Sequence, residues 1–173
     1  MNVNWLLGFI EGEGNFYINF GVRRKIISPK LMFQILLAER PVLNIIQTFL
    51  ATQEIKANIY IVRTKRRYGN LKNRPRIQKD HWLLQIAELS SIHKLIELLS
   101  PLAWYSDKLS SFKGWKEALK LAYPRPCTKD RIIKIAEIAE YLGSTNKGKR
   151  RWAPQFIEEN CLETEDGRVK LML

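Results

Sequence analysis

The sequence predicts an α+β fold: a four-stranded antiparallel β-sheet with helices on one face, followed by C-terminal helices. Three observations predict it. The spacing of apolar residues switches from helical to strictly alternating at Asn15. The elements then run helix, two strands, helix, two strands, helix as far as Ser100, an α+β order that gives an antiparallel sheet with helices over one face. Of 173 residues, 46% are hydrophobic, enough to build a core without covalent staples.

The first helix takes Asn2 or Asn4 as N-cap and runs to about Glu13. From Asn15 the period is two. Phe16, Ile18, Phe20 and Val22 fall on the core face; Asn15, Tyr17, Asn19 and Gly21 fall on a polar outer face. Arg23, Arg24 and Lys25 form the hairpin tip. The second strand spans about Pro29 to Ala38, with Leu31, Phe33, Ile35 and Leu37 inward and Lys30, Met32 and Gln34 outward. Arg40-Pro41 opens a helix whose apolar stripe reads as Val42, Ile45, Ile46 and Phe49, because proline suits the first helical position. A third strand covers about Ala57 to Lys65, with Ile59 and Ile61 inward. A fourth covers His81 to Glu88, with Trp82, Leu84 and Ile86 on one face, and a short helix from Ser90 to Ser100 follows. Beyond Pro101 the pattern gives a helix from about Ser106 to Ala122, ended by Pro124-Arg125-Pro126. A Thr128-capped helix over Ile132 to Leu142 is stopped by Gly143, and the tail holds one more helical turn and an apolar, strand-like Val169 to Leu173.

Composition bounds the function. Lys plus Arg number 29 against 17 Asp plus Glu, a net charge of +12, which calls for a polyanionic partner and makes nucleic acid the first candidate. The cations cluster. Arg63, Lys65, Arg66, Arg67, Lys72, Arg74, Arg76 and Lys79 follow one another without an intervening acid, and Lys147 to Arg151 forms a second basic run. Such runs repel themselves unless phosphates neutralise them. Cys127 and Cys161 are too few for a disulfide framework and lack metal-ligand spacing, so both read as structural. No secretory signal is visible and no apolar run approaches the roughly 20 residues needed to span a bilayer. The chain therefore reads as a soluble intracellular protein with no membrane partner.

The stretch Trp5 to Phe20 carries the chemistry. Gly8 and Gly12 are four apart and lie on one helix face, leaving a flat strip where a second backbone can approach. Glu11 and Glu13 sit at the C-terminal end of that helix, where the macrodipole already places partial negative charge, and a cation would relieve the conflict. Read together, Leu6-Leu7-Gly8-Phe9-Ile10-Glu11-Gly12-Glu13-Gly14 resembles the nine-residue signature of the LAGLIDADG homing endonucleases, with Glu where the name has Asp.

The resemblance covers roughly residues 3 to 122 and implies the family's αββαββα core, whose antiparallel sheet forms a DNA-binding saddle. It divides the chain into a core over 1–125 and a C-terminal helical extension of the same domain over 126–173. Only one motif is present, which implies a homodimer packed through Leu7, Gly8, Glu11 and Gly12. By position Glu13 becomes the metal-binding carboxylate, joined by the Gly12 carbonyl. The metal is Mg²⁺, for which Mn²⁺ can substitute. Lys108 matches the family's water-assisting lysine. The glutamine that relatives place after the second strand is absent, and Arg40 stands as its substitute. On the outer face Tyr17, Asn19, Lys30, Gln34, Thr64 and Arg66 are candidate base contacts, since a two-stranded ribbon fits the major groove. Arg23, Arg24, Lys25, Arg67, Lys72, Arg74, Arg76 and the Lys147 to Arg151 run are candidate phosphate contacts. The implied function is a metal-dependent, site-specific endonuclease that makes a staggered double-strand break in a long pseudo-palindromic DNA duplex and mobilises its host intron. The alternatives are an RNA maturase that binds its intron RNA and a DNA-binding regulator without catalysis. The compartment, whether an organelle or an archaeal or bacterial cytoplasm, is left open.

Overall fold

The computed structural model describes residues 1–62, 80–123, 125–143 and 152–172. The chain forms two compact units, Met1–Asn15 with Gln34–Leu102 and Phe16–Phe33 with Ala103–Leu173. Its elements run α1 (Val3–Glu13), β1 (Gly14–Arg23), β2 (Ile26–Leu37), α2 (Arg40–Thr52), β3 (Asn58–Val62), β4 (His81–Ile86), α3 (Leu89–Leu99), α4 (Lys108–Ala122), α5 (Lys129–Tyr141), α6 (Pro154–Asn160), β5 (Cys161–Glu163) and β6 (Val169–Leu171). The predicted αββαββα order is present. The sheet, however, has six strands where four were expected, in the order β3-β4-β2-β6-β5 with β1 also paired to β2. The tail is strand-like as expected, but β5 and β6 fold into a hairpin that joins the sheet.

In the first unit Asn2 is the N-cap of α1: its side chain accepts from the Trp5 N–H at 2.9 Å. Leu6, Leu7 and Ile10 are buried. The apolar stripe of α2 differs from the expected one. Leu43, Ile46 and Leu50 are buried, while Ile45 is 55% exposed. Both stripes have helical spacing, and the buried one is turned by one residue, a choice that packing rather than spacing makes. β3 and β4 pair antiparallel with Tyr60 opposite Leu83 and Ile59 opposite Leu84. Leu84 and Ile86 are fully buried, whereas Ile61, expected inward, is exposed. Strand β4 ends at Ile86 because Glu88 becomes the N-cap residue of α3. Ser91 Oγ accepts from the Lys56 N–H at 3.0 Å, which satisfies the buried hydroxyl and ties the loop before β3 to α3.

In the second unit Phe16, Ile18 and Phe20 of β1 and Ile27, Leu31 and Phe33 of β2 are buried, as the alternation predicts; Val22 is exposed beside the tip. Phe16 lies 5.3 Å from the rings of Phe33 and Trp115 and 5.5 Å from Phe112. The Trp115 indole N–H donates to the Tyr17 carbonyl at 3.3 Å, which docks α4 on the inner face of β1. Gly114 of α4 lets Ile138 of α5 and Leu142, the residue that caps α5, come within ordinary contact of the position a Cβ would take.

Cys127 and Cys161 are free and buried. Burial pushes both thiols above the usual range, opposed in the first by Arg131 and Arg125 and in the second by Lys129. Neither thiol should react with iodoacetamide at pH 8 in the native protein, and both should react in denaturant. Mass spectrometry of the adducts checks this; rapid native labelling of either would contradict the packing described.

Candidate nucleic-acid and catalytic site

Helix α1 ends on Glu13, and Gly14 closes it by donating its N–H to the Ile10 carbonyl. Glycine is required there: a Cβ would stand 2.6 Å from the Ile10 carbonyl oxygen and 2.8 Å from its Cγ2. The chain can therefore leave the helix directly into β1 and hold the Glu13 carboxylate at the junction. Glu13 is exposed, whereas Glu11 is only half-exposed and is engaged in other interactions. The last turn of α1 holds no basic residue, so nothing on the helix offsets the carboxylate against the dipole's negative end.

The other two catalytic candidates repeat this mismatch with the sign reversed. Arg40 is the first residue of α2 and Lys108 the first residue of α4, where the dipole's positive end disfavours a cation. The preceding acids, Glu39 and Asp107, make no side-chain capping bond. The Arg40 guanidinium stacks over the Trp82 ring at 4.6 Å, which fixes a side chain that would otherwise be free in solvent. The Lys108 N–H donates to Ser106 Oγ at 3.3 Å, and its residue is half-buried at the helix start where the sequence placed it. Glu13 and Arg40 belong to the first unit and Lys108 to the second.

On α1, Trp5, Gly8 and Gly12 are exposed at helical spacing, and an added Cβ at either glycine would meet nothing within 4 Å. The Trp5 ring stacks on Phe9 at 5.3 Å. Leu7, expected in a subunit interface, is 4% exposed and packs inside its own chain, because neighbouring helix residues point about 100° apart and the exposed face is the one that carries Gly8. The exposed strip is thus Trp5, Gly8 and Gly12. Trp5 was missed in the sequence, although its spacing of three from Gly8 marks the same face.

The hairpin brings Tyr17, Asn19, Arg23, Arg24, Lys25 and Lys30 onto one ribbon. Tyr17 and Asn19 are half-exposed on the outer face of β1, and the Lys30 side chain crosses the space above Gly21. Gln34, farther along β2, is half-exposed on the same alternation. The tip is strained. Arg24 and Lys25 have φ of 51° and 67°, the left-handed pair that a two-residue hairpin turn demands and that Asn-Gly normally supplies. Left-handed backbone costs a bulky residue about 1–2 kcal/mol. Replacing the pair by Asn-Gly should stabilise the fold by about 1 kcal/mol, since glycine's own unfolded-state entropy takes back part of the gain. The same change removes two cations and should flatten the salt dependence of DNA binding. Thermal melts and binding across a salt series read both effects. Thr64, Arg66, Arg67, Lys72, Arg74, Arg76 and the Lys147 to Arg151 run lie outside the described residues.

Among the described residues no group of three or more His, Cys, Asp and Glu is placed to hold a metal. One chain thus offers a lone carboxylate and the last carbonyls of α1, which lack intrahelical donors. That all-oxygen, sparse donor set suits a hard cation that keeps its waters and takes its remaining ligands from phosphates. No helix among the described residues is long and apolar enough to cross a membrane.

Comparison with known proteins gives three findings. The family described as LAGLIDADG endonuclease matches residues 6–119. Comparison with curated proteins gives no match. Many solved structures share the fold. The homing endonuclease I-TnaI is 24% identical with a TM-score of 0.69, covering 92% of this chain and 97% of its own. The archaeal intron-encoded homing endonuclease I-Vdi141I, solved with DNA, is 20% identical with a TM-score of 0.67, covering 91% and 92%. The meganuclease I-CpaMI, bound to uncleaved DNA, is 21% identical with a TM-score of 0.68, covering 92% of this chain and 51% of its own.

Proposed function

The chain belongs to the LAGLIDADG endonuclease family, and from that premise we propose that it is a homodimeric, divalent-metal-dependent homing endonuclease. Its substrate is a long, pseudo-palindromic DNA duplex, in which it makes a staggered double-strand break with 3′ overhangs, promoting mobility of its host intron. Residues 1–125 form the working core and 126–173 extend it. The observation that carries the reading is the placement of Glu13, Arg40 and Lys108. Each is a charge at the end of a helix where the macrodipole opposes it. Charges set against the dipole are where a ligand, rather than the fold, is expected to act.

Glu13 and the Gly12 carbonyl would hold Mg²⁺, or Mn²⁺ in its place. Bound there, the metal would supply Lewis-acid stabilisation of the phosphodiester oxygens and a more acidic water. The chain's own groups do the rest. The exposed Glu13 carboxylate draws the cation to the end of α1. Arg40, steadied on Trp82 in the first unit, and Lys108 in the second would each offer positive charge to phosphate and its surrounding waters. The outer faces of β1 and β2 hold the duplex, with Tyr17, Asn19, Lys30 and Gln34 toward base edges and the basic tip toward phosphates. With one motif per chain, a second copy related by a two-fold axis along the Trp5-Gly8-Gly12 strip brings a second Glu13 for the opposite strand.

Incubation with Mg²⁺ and DNA carrying the uninterrupted form of the host locus should give one discrete cut. Intact duplex in both Mg²⁺ and Mn²⁺, together with faster splicing of the host intron RNA, would instead favour the maturase reading.

A further inference from the structure

We propose that the C-terminal β5–β6 hairpin is part of the DNA-binding surface, with Lys170 as a phosphate-contacting residue. The proposal rests on the DNA-binding reading above and assigns a role to a segment beyond the residues matched by the family.

The register places Lys170. In β6 it stands directly opposite Ile26 of β2 and, on its other side, opposite Leu162 of β5. Directly opposed residues of antiparallel strands project to the same face. Along β2 the alternation carries that face from Ile26 through Ser28 to Lys30, all at least half-exposed, while Ile27, Pro29 and Leu31 are buried. Val169 and Leu171, the neighbours of Lys170, are likewise buried. Lys170 therefore lies on the outer face shared with Lys30, not on the core face.

Charge is sorted across this hairpin in the same sense. Glu163 is on the opposite alternation from Leu162, and its carboxylate accepts from the Lys129 N–H at 2.8 Å, on the side of α5. Asp166, in the β5–β6 turn, pairs with Arg168 at 2.8 Å. Glu165 lies in that turn, off the paired strands. Lys170 is exposed and forms no ion pair with the described residues, and no acid lies among the β1, β2, β5 and β6 residues of the outer face. The Leu171 N–H also donates to the Lys25 carbonyl at 2.9 Å, and the Met172 N–H to the Asn160 carbonyl at 3.0 Å. The strand that carries Lys170 is thereby tied to the base of the strained basic tip and to the end of α6. A cation on a backbone braced in this way reaches a phosphate at little ordering cost.

The test is binding to a mixed-sequence duplex of about 40 base pairs across a salt series, comparing wild type, Lys170→Ala, Lys170→Arg and Lys134→Ala. Lys134 is an exposed cation on α5 and controls for loss of one charge anywhere. Lys170→Ala should weaken binding about 3- to 10-fold at 0.15 M salt and reduce the log–log salt slope by about 0.9, one phosphate contact. Lys170→Arg should restore both, and Lys134→Ala should change neither. Matching melting temperatures exclude a folding effect. Equal slopes for Lys170→Ala and Lys134→Ala overturn the proposal. Absence of any salt-dependent binding by wild type overturns the DNA-binding reading itself.

Discussion

Glu13→Gln is expected to abolish cleavage, to leave DNA binding within about twofold, and to raise thermal stability. The three effects come from one side chain. Gln keeps the shape and the hydrogen-bonding oxygen, so the ribbon and the rest of the DNA surface are untouched. It removes the only charge that Glu13 offers a metal. Loss of an outer-shell partner alone costs about 10- to 100-fold in affinity or activity, so loss of the ligand itself should cost more. The stability gain follows from the dipole: a carboxylate at the C-terminal end of α1 costs about 0.3–1 kcal/mol that a neutral amide does not. Cleavage of target DNA in Mg²⁺, an electrophoretic shift in Ca²⁺ and a thermal melt measure the three. Wild-type cleavage by the variant sinks the assignment of Glu13. Lost cleavage with a lowered melting point would mean that Glu13 supports the fold instead. Gain of stability with loss of function is the signature of a strained functional group.

Most of the fold could be read from sequence because its strands obey a two-residue alternation with bulky residues on one side. Phe16, Ile18, Phe20, Leu31, Phe33 and Ile35 are buried as that pattern requires. Where the pattern is degenerate, reading failed. In α2 both Val42-Ile45-Ile46-Phe49 and Leu43-Ile46-Leu50 have helical spacing, and only packing selects the second. Strand β6 was legible as an apolar, strand-like tail, but β5 is too short for any period to register, and the pairing of the hairpin with the edge of β2 beside Lys25 and Ile26 is a long-range contact that no local pattern shows. The strained tip is also invisible locally. Nothing in Arg24-Lys25 announces left-handed backbone; the hairpin imposes it through strand twist. The candidate site was legible to a different degree. Glu13, Gly12 and Lys108 follow from a motif and a helix start. The stacking of Arg40 on Trp82 joins residues that no spacing rule relates.

If the proposed dimer packs through Gly8, a leucine there should split it while stabilising each subunit, a pair of opposite signs that no purely internal role for this glycine can produce. Within one chain an added Cβ at Gly8 meets nothing within 4 Å, so the position has room. In an exposed helix interior, glycine costs about 0.8–1.0 kcal/mol relative to a good helix former, and leucine would recover most of that. If the Trp5-Gly8-Gly12 strip were free surface, Gly8→Leu would therefore raise the melting point and change nothing else. Against a second α1 the same side chain has no room. Overpacking costs about 1–3 kcal/mol per site, and two-fold symmetry applies it twice, which weakens association by about 30-fold to 10⁴-fold. Light scattering over a dilution series should show dimer for wild type and monomer for Gly8→Leu at the same concentration, with double-strand cleavage lost in parallel. Gly8→Ala should fall between them, because a methyl group asks for less separation than an isobutyl group. A Gly8→Leu chain that stays dimeric at wild-type dilution would place the subunit interface elsewhere. The glycine pair would then need another explanation, since its own chain leaves both positions open.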